Sequence, residues 1–193
     1  MERISVFCGS SEGNDPQIVA GAQALGRALA DRGTTLVYGG TQVGLMGHLA
    51  DAALGRQGRV IGVIPEFLLP KEIVHPQVEE MILVGTMHQR KMKMHELSQG
   101  TIALPGGFGT LEEFFEMLTW GQLGLHTKPM GLLNLGGFFD GLLGFMDTMV
   151  TKGFLGPGHR NMVLVDDSCT GLLDQMQGYV PDPTPKWIKK EHT

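Results

Sequence analysis

The segment PGGFGTLEE at 105–113 carries the clearest chemistry in the chain. Gly106, Gly107 and Gly109 let the backbone come close to an anion, and the helix that follows aims free N–H groups and the positive end of its dipole at the same place. That is phosphate-binding chemistry. Its commonest spellings are missing. There is no GxxxxGK[ST] loop, and no GxGxxG follows the first strand with an acid about 20 residues on, so neither a P-loop NTPase nor a conventional dinucleotide site is indicated. Thr110-x-x-Glu113 also fits a capping box, with Thr110 capping the helix and Glu113 reaching back, so this carboxylate has a structural reading beside a chemical one.

MHQRK at 87–91 opens another helix. Arg90 offers a planar fork to a phosphate or an electron-rich base edge, and Lys91 a point charge; on many helices such residues are simply a solvated face. GGTQVGLMG at 39–47 repeats the strand–glycine–helix logic, so Gly39 and Gly40 either hold a second part of a nucleotide or serve a tight turn and close helix–sheet packing. Ser10 and Ser11 stand where a hydroxyl meets phosphate or ribose, and equally where serine caps a helix. Cys8 ends an apolar run with no base spelled nearby and reads as core. His88 and His95 are separated by nearly two turns and no HExxH is present, so no metal site is expected. Serine acyl chemistry lacks both a GxSxG elbow and an SxxK.

These loops need elements to position them. Short apolar runs at 4–8, 35–38, 59–64, 80–84, 101–104, 129–135 and 162–165 read as strands. Helical patterns fall at 18–31, 45–54, 87–97, 111–122, 140–152 and 169–176. Apolar rather than alternating strands indicate a mostly parallel sheet covered on both faces. Right-handed crossovers then make it a doubly wound, Rossmann-like α/β three-layer sandwich of six or seven strands. In such a fold ligands bind beyond the carboxyl ends of the strands, where the loops at 8–11, 38–47, 85–91 and 105–110 gather. Residues 1–180 read as one domain, and 181–193 as an extended, proline-rich tail with Trp187 as a surface anchor.

Composition excludes several classes. Glycine, 29 of 193 residues, is roughly twice as frequent as usual but follows no collagen period. A net charge of −5 argues against a nucleic-acid binder. The N-terminus lacks a signal-peptide pattern, no stretch approaches the ~18 apolar residues of a membrane span, and the two cysteines form no CxxC. A cytoplasmic globular protein is expected, without membrane or nucleic-acid partners.

PGGFGTLEE, YGGTQVGLMG at 38–47, MHQRK and FCGSS at 7–11 together resemble the Lonely Guy (LOG) family, cytokinin riboside 5′-monophosphate phosphoribohydrolases long labelled lysine decarboxylases. The likeness spans residues 3–180 and includes TWGQLG at 119–124, HTKP at 126–129 and GFFDGLL at 137–143. The family pattern PGGxGTxxE is matched in full by Pro105, Gly106, Gly107, Gly109, Thr110 and Glu113. One departure stands out: Thr41 occupies a position where the family usually has a third glycine.

The resemblance implies hydrolysis of the N-glycosidic bond of adenosine monophosphate or its N6-modified forms, giving free base and ribose 5-phosphate. It implies Arg90 and Glu113 as the catalytic pair. The implied binding set is Glu72, Arg90, Lys91, Gly107, Phe108, Gly109, Thr110, Leu111, Glu112, Glu113 and Thr119. No metal or organic cofactor is implied if the base leaves as an anion, and a homodimer is implied with its sites near the interface. A non-catalytic nucleotide or cofactor carrier of the same fold is the competing class. The lysine decarboxylase label fits poorly, because pyridoxal phosphate needs a Schiff-base lysine and no loop here is spelled for one.

Overall fold

The computed structural model describes residues 1–69 and 74–181. Glu72 and the tail from 182 onward, Trp187 included, lie outside the described residues.

The first strand, β1 (Arg3–Phe7), is apolar on both faces: Ile4 and Val6 join one core cluster, Phe7 the other. A strand buried on both faces belongs to a parallel sheet that helices cover on both sides. Helix α1 (Pro16–Asp31) starts where Asp15 accepts the Gln17 N–H at 2.9 Å and Pro16 presets the first turn. Its Ala22, Leu25 and Leu29 stripe is fully buried. The chain continues through β2 (Thr35–Tyr38), α2 (Gly44–Leu54), β3 (Val60–Pro65), β4 (Glu80–Val84), α3 (Met87–Leu97) and β5 (Gly100–Ala103). It ends with α4 (Phe108–Gln122), β6 (Met130–Leu133), α5 (Asp140–Thr151), the short α6 (Pro157–Arg160), β7 (Val163–Asp166) and α7 (Cys169–Gln177).

All seven strands pair in parallel in the order β4-β3-β2-β1-β5-β6-β7. Helices α1, α2 and α7 bury their apolar stripes on one face with Ile4, Leu36 and Leu133; α3, α4 and α5 cover the other with Phe7, Val63 and Leu132. The result is the expected Rossmann-like three-layer α/β sandwich. Inside the second layer the hydroxyls of Ser5, Thr101 and Ser98 satisfy one another. Ser5 and Thr101 are 2.8 Å apart, and Ser98 donates to the Met94 carbonyl at 2.8 Å, so this buried polar patch is fully partnered.

Most element bounds lie within two residues of the sequence expectation, and the following differences stand out. Strand β1 stops at Phe7, leaving Cys8 at the loop entrance. Strand β6 is shorter because Leu135–Gly137 forms a 3-10 turn with Gly136 at φ 59°. The short α6 follows Gly156, where Pro157 begins a single turn. Helix α4 begins at Phe108 rather than at 111, with consequences for the site.

The order places the working edge. From β1 the chain moves outward to β2, β3 and β4, then α3 carries it back across the sheet to β5 on the other side of β1. The carboxyl ends of β1 and β5 are therefore neighbours where the winding reverses, with Phe7 in register with Ala103.

Candidate active site

At that reversal the loops after β1 and β5 are joined by backbone hydrogen bonds. Gly9 N–H donates to Pro105 O at 3.0 Å, and Leu45 N–H to Gly9 O at 3.1 Å, which draws in the start of α2. Above them lies a cleft of about 320 Å³ lined by Cys8, Ser10, Gly39, Arg90, Thr110 and Glu113, with Met46 and Met87 on its walls. Two opposite charges are held here out of water: Arg90 is 7% exposed and Glu113 9%.

Helix α3 delivers Arg90. Its start is a capping box, Gln89 N–H donating to Thr86 Oγ1 at 3.1 Å and Thr86 N–H to Gln89 Oε1 at 3.2 Å. The guanidinium is thinly partnered. Nη1 rests on Met87 Sδ at 3.9 Å, Nη2 on Met46 Sδ at 4.0 Å, and Nε is buried with no partner among the described residues. Thioethers are weak acceptors, so this buried cation retains most of its hydrogen-bonding capacity for an incoming anion or polar base edge. Gly39 makes room for it: a Cβ there would stand 1.8 Å from Nη2.

Helix α4 delivers Glu113 and its own N-terminus. Gly107 is the N-cap and no side chain among the described residues caps the helix, so its first-turn N–H groups are presented to the cleft. This corrects the capping-box reading of Thr110 and Glu113. With the helix starting at Phe108, Thr110 lies inside the first turn, and Glu113 lies a turn further on and lines the cleft. Gly106 is needed for that start, because a Cβ there would meet Thr110 Oγ1 at 2.1 Å.

Cys8 reports on the two charges. Burial above all, and then the Glu113 carboxylate, push its thiol pKa far up, against the smaller pull of Arg90. It stays a neutral thiol, a wall rather than a nucleophile.

The structure brings Ser10, Gly39, Arg90, Gly107, Phe108, Gly109, Thr110 and Glu113 together around the cleft. Gly40, at φ 80°, sits just behind it and accepts the His75 N–H. Gly106 supports the loop from below. Other candidates lie elsewhere. Lys91 is 3% exposed and its ammonium is paired with Glu112 and with Glu116 at 2.8 Å. Leu111 packs on the second core cluster. Thr119 donates to Phe115 O and lines a separate apolar cavity of about 250 Å³ with Leu118 and Met149. Met46 and Met87 are wall residues that sequence reasoning passed over. The signal was available for Met87, which stands one turn before Arg90 on the same helix face.

Fold and cleft define a class: a Rossmann-like α/β protein that works at the carboxyl edge of its sheet, at the switch point. Within that class the chain belongs to the Lonely Guy (LOG) family. The family model described as "Possible lysine decarboxylase" matches residues 46–176. The cytokinin riboside 5′-monophosphate phosphoribohydrolase LOG1 of Arabidopsis thaliana is 47% identical over 180 residues, covering 93% of this chain and 84% of the relative. The enzyme of the same name, LOG, from Oryza sativa subsp. japonica is 43% identical over 180 residues, covering 93% and 74%. Among solved structures, the molybdenum cofactor binding protein of Rippkaea orientalis superposes with a TM-score of 0.68 at 26% identity, covering 91% of this chain and 95% of that one. The molybdenum cofactor carrier protein of Chlamydomonas reinhardtii, at 21% identity and a TM-score of 0.69 over 91% and 96%, shares the fold. No helix among the described residues is long and apolar enough to cross a membrane.

Proposed function

We propose that this chain hydrolyses the N-glycosidic bond of nucleoside 5′-monophosphates of the adenosine type, with N6-modified (cytokinin) forms included, to free base and ribose 5-phosphate. The observation that carries the reading is the buried pair of charges: a guanidinium whose partners among the described residues are two sulfurs, and a carboxylate lining the same cleft beside a helix N-terminus that no described side chain caps. The relatives' shared activity points the same way.

In this reading the phosphate is held by the first-turn N–H groups of α4 and the Thr110 hydroxyl. The C1′–N9 bond breaks with its electrons going to the base, and positive charge develops on C1′. Glu113 stabilises that charge and orients the water whose oxygen forms the new C1′–O bond. A proton from that water neutralises the base. Arg90 either assists departure of the base or steadies the phosphate.

A pyridoxal-dependent decarboxylation is a poorer fit to these residues. No lysine lines the cleft among the described residues. Burial opposes the charge of Lys91, but its hydrogen bonds to Glu112 and Glu116 outweigh that and keep its pKa above the ordinary lysine value. A Schiff-base lysine needs the reverse.

Residues 1–180 are taken as one catalytic unit. A homodimer is proposed with it; the exposed apolar side chains Leu83 on edge strand β4 and Met92 on α3 give such an interface material. A cytoplasmic setting is consistent with two free cysteines. The test is to incubate the purified protein, without added metal, with AMP and with N6-isopentenyl-AMP, and to quantify base and ribose 5-phosphate. Release supports the hydrolase, and the ratio of rates gives the preferred base. Tight binding without release transfers the reading to a carrier.

A further inference from the structure

Thr41, in the loop after β2, is fully buried. Its backbone forms an isolated antiparallel bridge with Val74, and its Oγ1 donates to Met46 Sδ at 3.6 Å. The same sulfur accepts Arg90 Nη2 at 4.0 Å from the other side. One thioether thus takes two donors, a hydroxyl from the loop after β2 and a guanidinium from α3. Its own side chain sits 7% exposed on the cleft wall.

Methionine is the most adaptable side chain that could stand there: it is unbranched, with three soft torsions and a polarizable sulfur. Beside an open cleft it would sample several rotamers, and a guanidinium leaning on it would follow. A hydroxyl bound to the sulfur selects one of them. Thr41 can do this because its own position is fixed by complete burial and by the bridge to Val74. A glycine in its place would supply neither the donor nor the volume behind Met46.

We propose that Thr41 is a positioning residue. By holding the Met46 sulfur it sets the orientation in which the Arg90 guanidinium waits for the ligand. The inference rests on the hydrolase reading for its kinetic consequence, though not for the contact itself.

The test compares Thr41→Val, which keeps the shape and removes the donor, with Thr41→Ser, which keeps the donor. Two readouts are taken on the full chain. The Met46 methyl signal is followed in protein labelled with methyl-13C methionine and assigned through Met46→Leu, and kcat and KM are measured for AMP and N6-isopentenyl-AMP. Thr41→Val is expected to shift or broaden the Met46 signal and to lower kcat/KM about fivefold, the scale of one modest hydrogen bond, with little change in Tm. Thr41→Ser is expected to restore both.

An unchanged Met46 signal in a folded Thr41→Val protein overturns the proposal. So does a kinetic loss that serine fails to restore. If the wild-type chain releases no base, the hydrolase reading fails separately. The Met46 signal and the affinity for AMP then decide the inference, and no change in either on Thr41→Val overturns it.

Discussion

Helices α3 and α4 both open on a Thr-x-x-[Gln/Glu] sequence next to the cleft, and they use it in opposite ways. At α3 the pattern is a true capping box: Thr86 and Gln89 satisfy each other's backbone donors, and the helix end is closed. At α4 the same spelling, Thr110 to Glu113, falls inside the helix because Gly107 is the N-cap, and the end stays open. A boxed N-terminus, with its Thr86 and Gln89 amides already bound, serves as a rigid mount, here for Arg90. An open one is itself a binding group. The cleft combines one of each.

That contrast makes its largest prediction at Glu113. If Glu113 belonged to a cap, glutamine would serve as well, as Gln89 does in α3. If it carries the reaction, Glu113→Gln removes the charge that faces C1′ and turnover should fall by a factor of about 10³ or more, with folding and phosphate binding kept. Base release and nucleotide affinity, measured side by side, check this. Near-normal turnover would return Glu113 to a structural role and erase the difference between the two helices.

The next prediction attacks the mount without touching the charge. Gly39 is not in the left-handed region, so its backbone accepts alanine, but the new Cβ would stand 1.8 Å from Arg90 Nη2 and 2.8 Å from Met46 Sδ. Gly39→Ala should displace the guanidinium by about an ångström and lower kcat/KM about a hundredfold, as misplacement of that size commonly does. Thermal melts alongside the kinetics separate displacement from unfolding. Unchanged kinetics in the folded variant would mean that the position of Arg90 is unimportant.

Much of this molecule is legible in its sequence, and the exceptions have physical causes. Apolar runs such as 35–38 and 59–64 announce buried parallel strands, and glycine-rich junctions mark the edge where ligands bind. Pairings that form only in three dimensions leave no local trace. Lys91 reads as a free charge beside Arg90, yet its partners Glu112 and Glu116 belong to the next helix. Thr110-x-x-Glu113 reads as a cap because nothing local says that Gly107 will take the N-cap position first. Met46 carries no sequence signal at all, and its place on the cleft wall against Arg90 emerges from the fold.

A smaller effect is expected at the closed end. Thr86→Ala removes the acceptor for the Gln89 N–H, and the loss of a helix cap costs about 1 kcal/mol, or a Tm shift of about 2–4 °C in a chain of this size. Ligand affinity should stay within about twofold, since the cap shapes the mount and does not touch the cleft. A large loss of affinity would show that α3 also contributes its N-terminus to binding.

The smallest expected effect comes from the far ends, where the two helices meet again. His95 in the last turn of α3 lies edge-on to Trp120 near the end of α4, ring centroids 5.5 Å apart, and 4.7 Å from His126. Burial chiefly, with the charges of Lys128 and His126, lowers the His95 pKa from 6.5 to about 4. The unfolded chain takes up this proton near pH 6.5 and the folded chain only near 4, so stability should decline as pH falls through that window and be unaffected by it above. The pKa of His126 is also lowered, again mainly by burial, so it contributes in the same direction. Thermal melts from pH 7 to 4 on wild type and His95→Gln measure the slope. The variant should show a shallower decline, His126 supplying what remains, while kcat at neutral pH is unchanged because the rings lie outside the cleft lining. An identical slope in both proteins would mean that the junction of α3 and α4 titrates freely, and that the two helices are coupled only at the ends that hold Arg90 and Glu113.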